Sequence, residues 1–191
     1  NLRAFRAQGL SGFCVWEHSM HWRLRDGVDR GRREIATDWE KLQKPGFSPD
    51  YTEDRYESFE KAYELEDWIP TVAGKALERN NGPLLGFIGG RASALTVQDH
   101  IFFPGETIEK QLVVINNSRR KVQGTCSWVL DLPLPISGKS QISLSTGNQE
   151  RIPVNLVLPP QLKPGGYALK ASFDFGEGTI QEDSLQIRVL P

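Results

Sequence analysis

The densest group of chemically capable side chains in the sequence is "LSGFCVWEHSMHW", residues 10–22, where an apolar run stops at Trp16 and is followed by Glu17, His18, His21 and Trp22. Carboxylate and imidazole are both zinc ligands. The spacing opposes a metal site, because a helical H-E-x-x-H motif sets two imidazoles one turn apart with the glutamate between them. Here the histidines are three residues apart, Glu17 precedes both, and the group follows a strand end. Nucleophilic catalysis is no better supplied: Cys14 lies inside the apolar run, with no electropositive neighbour to lower its pKa. The remaining chemistry is sugar binding. An indole face packs on the axial C–H groups of a sugar ring, while groups such as Glu17 and His18 hydrogen-bond its hydroxyls. Trp16 reads equally well as core packing at a strand end, and composition alone leaves both readings open.

Other candidate motifs are weaker. "GFIGG", residues 86–90, has the glycines of a phosphate-cradling loop but no strand-loop-helix unit with a downstream acid around it, so a flexible strand end is expected. The clusters Arg30, Arg32, Arg33 and Arg119, Arg120, Lys121 are answered by nearby acids or by a turn and read as solvated surface. Cys14 and Cys126 have neither metal spacing nor a disulfide framework and are expected as ordinary buried thiols. No cofactor and no metal are expected.

The elements that must position these residues fall into two halves. Residues 1–70 hold four of the five tryptophans, whereas the rest of the chain reads as strand after strand. "LRAFRAQ" predicts a short helix ended by Gly9, and "SGFCVW" a buried strand. A long surface loop follows, with a turn at Asp26-Gly27 and a helical segment from Arg33 to Leu42. Asp50 and Glu53 then open a helix carrying Tyr56, Phe59 and Tyr63 on one aromatic face. Breakers between Pro70 and Pro83 mark the junction. The expected organisation is 1–70, a linker at 71–82, and a β domain at 83–191.

In the β domain, "TIEKQLVVINNS" places Ile108, Leu112 and Val114 on one face and supplies a turn at Asn116-Asn117-Ser118. In the next strand Val122, Gly124, Cys126, Trp128 and Leu130, or their neighbours, face inward. With "LLGFIGG" and "SALTV" the total is seven or eight short strands, and connections too short for crossover helices predict antiparallel pairing. The expected fold is mainly β, an immunoglobulin-like antiparallel sandwich. Trp128 would fill the space between its sheets, and Tyr167, just after Pro164-Gly165-Gly166, would form a tyrosine corner. No cysteine near Ala171 can pair with Cys126, so this core must hold by apolar burial.

"LRAFRAQGLSGFCVWEH" resembles the last α-β step of the catalytic barrel in clan A glycoside hydrolases, particularly the β-galactosidase-like enzymes of family 2. The resemblance implies that the first part is the end of a (β/α)8 barrel, that its strand is the eighth, and that Trp16 lines the subsite of the sugar being cleaved. The later stretch from "FFPGETIEKQLVVINNS" to "LKPGGYALKASFDF" similarly resembles immunoglobulin-like modules that accompany such barrels. Retaining glycosidases use two carboxylates about 5 Å apart. The resembled family takes both from earlier barrel strands that this sequence does not contain, so no catalytic residue is expected here.

The resulting expectation is the C-terminal part of a carbohydrate-active enzyme, beginning mid-domain, whose partners are carbohydrate, through the parent barrel, and the remainder of the parent polypeptide. The alternative is a standalone carbohydrate-binding or adhesion and scaffold module. A net charge of -1 provides no basic field for nucleic acid, and no apolar run is long enough for a membrane helix, so neither partner is expected. The parent's compartment stays open, leaning exported or periplasmic.

Overall fold

The computed structural model describes residues 2–10, 12, 20–31 and 63–191. The chain forms two compact units, one made of Asn1–Cys14 with Glu78–Pro191 and the other of Val15–Leu77. The predicted helices at 33–42 and from Asp50 onward, the strand of "SGFCVW" and Cys14 lie outside the described residues, apart from Gly12 and Tyr63.

In the Val15–Leu77 unit, β1 (Trp22–Leu24) pairs antiparallel with β2 (Trp68–Pro70), with Leu24 opposite Trp68. The expected turn at Asp26-Gly27 is present, with the Val28 amide donating to the Arg25 carbonyl at 3.4 Å. Leu24 and Tyr63 are buried. The Tyr63 ring meets Trp68 edge-on at 5.7 Å, and its hydroxyl donates to the Asp29 carbonyl at 2.9 Å. Residues 71–82, expected as a linker, hold the helix α2 (Val72–Asn81). Thr71 caps it: its Oγ1 accepts the Gly74 amide at 3.1 Å, satisfying one of the donors a helix start leaves over.

The other unit begins with α1 (Leu2–Ala7). Gly9 takes φ +83°, which lets its amide reach the Arg6 carbonyl (3.0 Å) and the Leu10 amide reach the Phe5 carbonyl (3.0 Å). That pair of bonds is a Schellman ending, and glycine is favoured in it because a Cβ penalises positive φ.

Eight strands follow: β3 (Leu84–Gly89), β4 (Ile101–Phe102), β5 (Thr107–Asn116), β6 (Val122–Leu130), β7 (Ile136–Leu144), β8 (Asn148–Val157), β9 (Gly165–Asp174) and β10 (Ile180–Val189). They make a five-stranded sheet, β4-β10-β9-β6-β7, and a three-stranded sheet, β3-β5-β8. Every pair is antiparallel except β4 with β10, where two residues of β4 lie parallel to Arg188 and Val189. This corrects the wholly antiparallel expectation: a two-residue edge segment reached through the 90–100 loop needs no crossover helix. That loop contains "SALTV", which forms turns and not a strand.

The sheets share one core. Ile108, Leu112 and Val114 of β5 meet Val122, Cys126 and Leu130 of β6, Leu169 and Phe173 of β9, and Ile187 of β10. The inward residues expected for β5 are thus in the core, but β5 is buried on both faces over residues 110–116, and of the inward set in β6 only Val122, Cys126 and Leu130 are fully buried. β3 departs from alternation, with all six residues buried. The reason is a second apolar face, where Leu85, Phe87, Val113 and Ile115 cluster with Ala7 of α1. A strand covered on both faces reads as a continuous apolar run. "GFIGG" is thus not a flexible strand end; a Cβ on Gly86 would lie 2.3 Å from the Phe173 ring, so glycine permits the close approach of β3 to β9.

Trp128 also departs from expectation. It is half-buried, packed against the core cluster, with its six-membered ring above Gly138 of the neighbouring strand, while Cys126 and Leu130 are the fully buried members of β6. Tyr167 behaves as expected, its hydroxyl donating to the Lys163 carbonyl at 2.8 Å.

Candidate functional site

Trp16, Glu17 and His18, the residues expected to line a sugar, lie outside the described residues. Of the rejected metal group, only His21 is described. Its ring lies 5.8 Å from that of Trp22, and its carbonyl accepts the Thr71 amide and hydroxyl at 2.8 and 3.0 Å. Among the described residues no three His, Cys, Asp or Glu side chains are grouped to hold a metal. Burial, helped by the Glu150 charge, pushes the Cys126 thiol up to about 12, so it stays protonated and is no nucleophile at neutral pH.

A second arrangement, which sequence reasoning missed, lies on the five-stranded sheet. Because Cys126 and Leu130, Leu169 and Phe173, and Leu185 and Ile187 face the core, the residues between them face away from it. Strand register lines these outward residues into two rows. One runs Glu182, Ser172, Ser127, Lys139 across β10, β9, β6 and β7; the next runs Ser184, Lys170, Val129, Ser137. Both rows line a groove of about 830 Å³, together with Trp128, Gly138, Ala171 and Asp183 of the row between them and Arg79 of α2 at the β10 end. Ser127, Val129 and Ser172, in the middle, are half-buried, and the outer residues are exposed, so the shape is a shallow trough.

Its charges are mostly paired. Lys170 Nζ lies 2.9 Å from Asp131 Oδ2, and Arg79 Nη1 3.7 Å from Asp183 Oδ1. Asp183 is itself a junction: its carboxylate also accepts from Arg3 of α1 at 2.9 Å and from the Ile88 amide of β3 at 2.9 Å. Arg3 further donates to Asn80 Oδ1 at 2.7 Å and lies over the Phe87 ring at 5.5 Å. The Ala7 carbonyl at the end of α1 accepts from Gln149 at 3.0 Å and Arg151 at 2.8 Å. α1 is therefore fixed to strands of both sheets. The signal for the trough was present as serines at outward positions in "SWVL" and "KASF", but which serines stand side by side depends on register.

The chain is a mainly β protein whose described residues form predominantly antiparallel sheets. No known protein-family profile matches it, and no curated protein matches it. Among solved structures, it is similar to a CARDB domain from Pyrococcus furiosus solved in complex with di-metal ions: 16% identity, 56% of this chain, 87% of that one, TM-score 0.42. It is similar to a family 123 glycoside hydrolase from Clostridium perfringens at 13% identity, 57% of this chain, 27% of that one, TM-score 0.41. A β-glucosidase from Listeria innocua gives 10% identity, 56% of this chain, 16% of that one, TM-score 0.39. The chain thus spans about a quarter or less of the two hydrolases.

Proposed function

We propose that this chain is the C-terminal part of a carbohydrate-active enzyme of the glycoside hydrolase class, resembling the β-galactosidase-like enzymes of family 2. It supplies a sugar-stacking residue, Trp16, with Glu17 and His18 beside it, and an accessory immunoglobulin-like sandwich, but neither catalytic carboxylate. The observation that supports this reading best is the fixation of α1. The helix that opens the barrel-like motif is joined to the β strands through Arg3, Asp183 and the Ala7 carbonyl. A standalone binding or adhesion module gives no reason for its first helix, the one that opens the barrel-like motif, to be part of the β unit. The immunoglobulin-like description is supported by two sheets sharing one core and by the Tyr167 hydroxyl bonded back to the Lys163 carbonyl.

The test has two arms. An open reading frame continuing several hundred residues upstream of Asn1, with glutamates at barrel strand ends, is expected; an initiation codon directly before Asn1 overturns the reading. In that longer enzyme, Trp16→Ala should lower kcat/KM by the equivalent of about 1–3 kcal/mol with little change in denaturation midpoint. A collapsed midpoint with normal kinetics in the folded fraction would make Trp16 a packing residue.

A further inference from the structure

We infer that the trough on the five-stranded sheet binds a neutral, linear glycan laid across the strands. The ligand class rests on the carbohydrate-active reading; the site rests on the sheet. Side chains in one row are separated by the inter-strand distance, about 4.8 Å, so the first row offers one polar contact per step of roughly one sugar ring. The first row presents Glu182, Ser172, Ser127 and Lys139 in order across the four strands. An acceptor stands at one end, a donor at the other, and two hydroxyls that can do either stand between. Val129, in the second row, gives the trough a small apolar patch for sugar C–H groups.

Charge selects a neutral chain over a polyanion. Lys170 is answered by Asp131 and Arg79 by Asp183, which leaves Lys139 and Glu182, of opposite sign, among the described lining residues without ion pairs. The volume of about 830 Å³ is within the usual range for a small-ligand site, roughly 300–1,000 Å³, and fits a short oligosaccharide. Trp128 also lines the groove, with its ring packed on Gly138 and against the core cluster. Binding to so shallow a trough is weak, with a Kd of about 0.1–1 mM.

The experiment titrates the 191-residue chain by calorimetry with cellohexaose, mannohexaose, xylohexaose and β-1,4-galactohexaose, and separately with heparin. At least one neutral hexamer should bind in the stated range. Ser172→Trp, which fills the trough from an outward position, should weaken it at least tenfold. Lys139→Ala with Glu182→Gln, both exposed and chosen so that folding is undisturbed, should weaken it about threefold. Binding of heparin alone, or of no hexamer, overturns the inference. Hexamer binding that survives Ser172→Trp and is lost in Trp16→Ala also overturns it, while leaving the carbohydrate-active reading standing.

Discussion

Arg3 and Asp183, 180 positions apart in the chain, meet with Nη1 2.9 Å from Oδ2. The Asp183 side chain is only 11% exposed, and it serves the Ile88 amide at the same time. Asp183→Ala would leave that amide without its acceptor and Arg3 without its carboxylate, keeping only Asn80 Oδ1. A loss of about 2–4 kcal/mol is expected from urea unfolding, with Asp183→Asn, which keeps an acceptor for Ile88, costing roughly half as much. A change below about 0.5 kcal/mol for alanine would show that the contact contributes nothing.

The buried Cys126 thiol makes stability fall at alkaline pH. Its folded pKa is raised to about 12 by desolvation first and the Glu150 charge second. The unfolded thiol ionises near its ordinary value of about 8.5. The contribution is thus fully present below that value and is lost as pH rises toward 12. Cys126→Ala should flatten the fall in unfolding free energy between pH 8.5 and 11. An unchanged slope would mean the thiol is not the group responsible.

Because the Trp128 ring sits above Gly138 and is only half-buried, Trp128→Ala should cost about 2–3 kcal/mol, less than removal of a central core indole. Gly138→Ala tests the same contact from the other side. Its Cβ would lie 2.2 Å from the ring, so the indole must shift, at a cost of about 1–3 kcal/mol, with a change in tryptophan emission. A neutral Gly138→Ala would place the ring elsewhere.

The 191-residue chain by itself should hydrolyse no aryl glycoside above background, because the covalent route needs a nucleophile and an acid/base that the resembled family draws from other strands. Turnover abolished by Glu17→Gln would refute this.

Much of the β unit was legible because alternation is a local property. Ile108, Leu112 and Val114 on one face, the Gly9 helix ending and the Tyr167 corner all follow from residues within a few positions of one another. What could not be read locally depended on pairing. The α2 sequence, with Gly74, Asn80 and Asn81, has poor helix propensity, and one Thr71 hydroxyl marks its start. The burial of β3 on both faces depends on α1, some eighty residues earlier in the chain. The trough exists only once β10, β9, β6 and β7 take their register, which aligns serines far apart in sequence.

β3 pairs with β5 along one side only, yet the Gly86 amide donates to Gln181 Oε1 at 2.9 Å, the Ile88 amide donates to Asp183, and the Leu84 carbonyl accepts from Gln181 Nε2 at 3.0 Å. Side chains of β10 thus occupy the places another strand would take. An uncovered strand this apolar would be a template for pairing with a second molecule, the first step toward domain exchange or fibrillar aggregation. Gln181 and Asp183 therefore act as solubility residues as well as structural ones. Loss of Gln181 would be felt as self-association at high concentration.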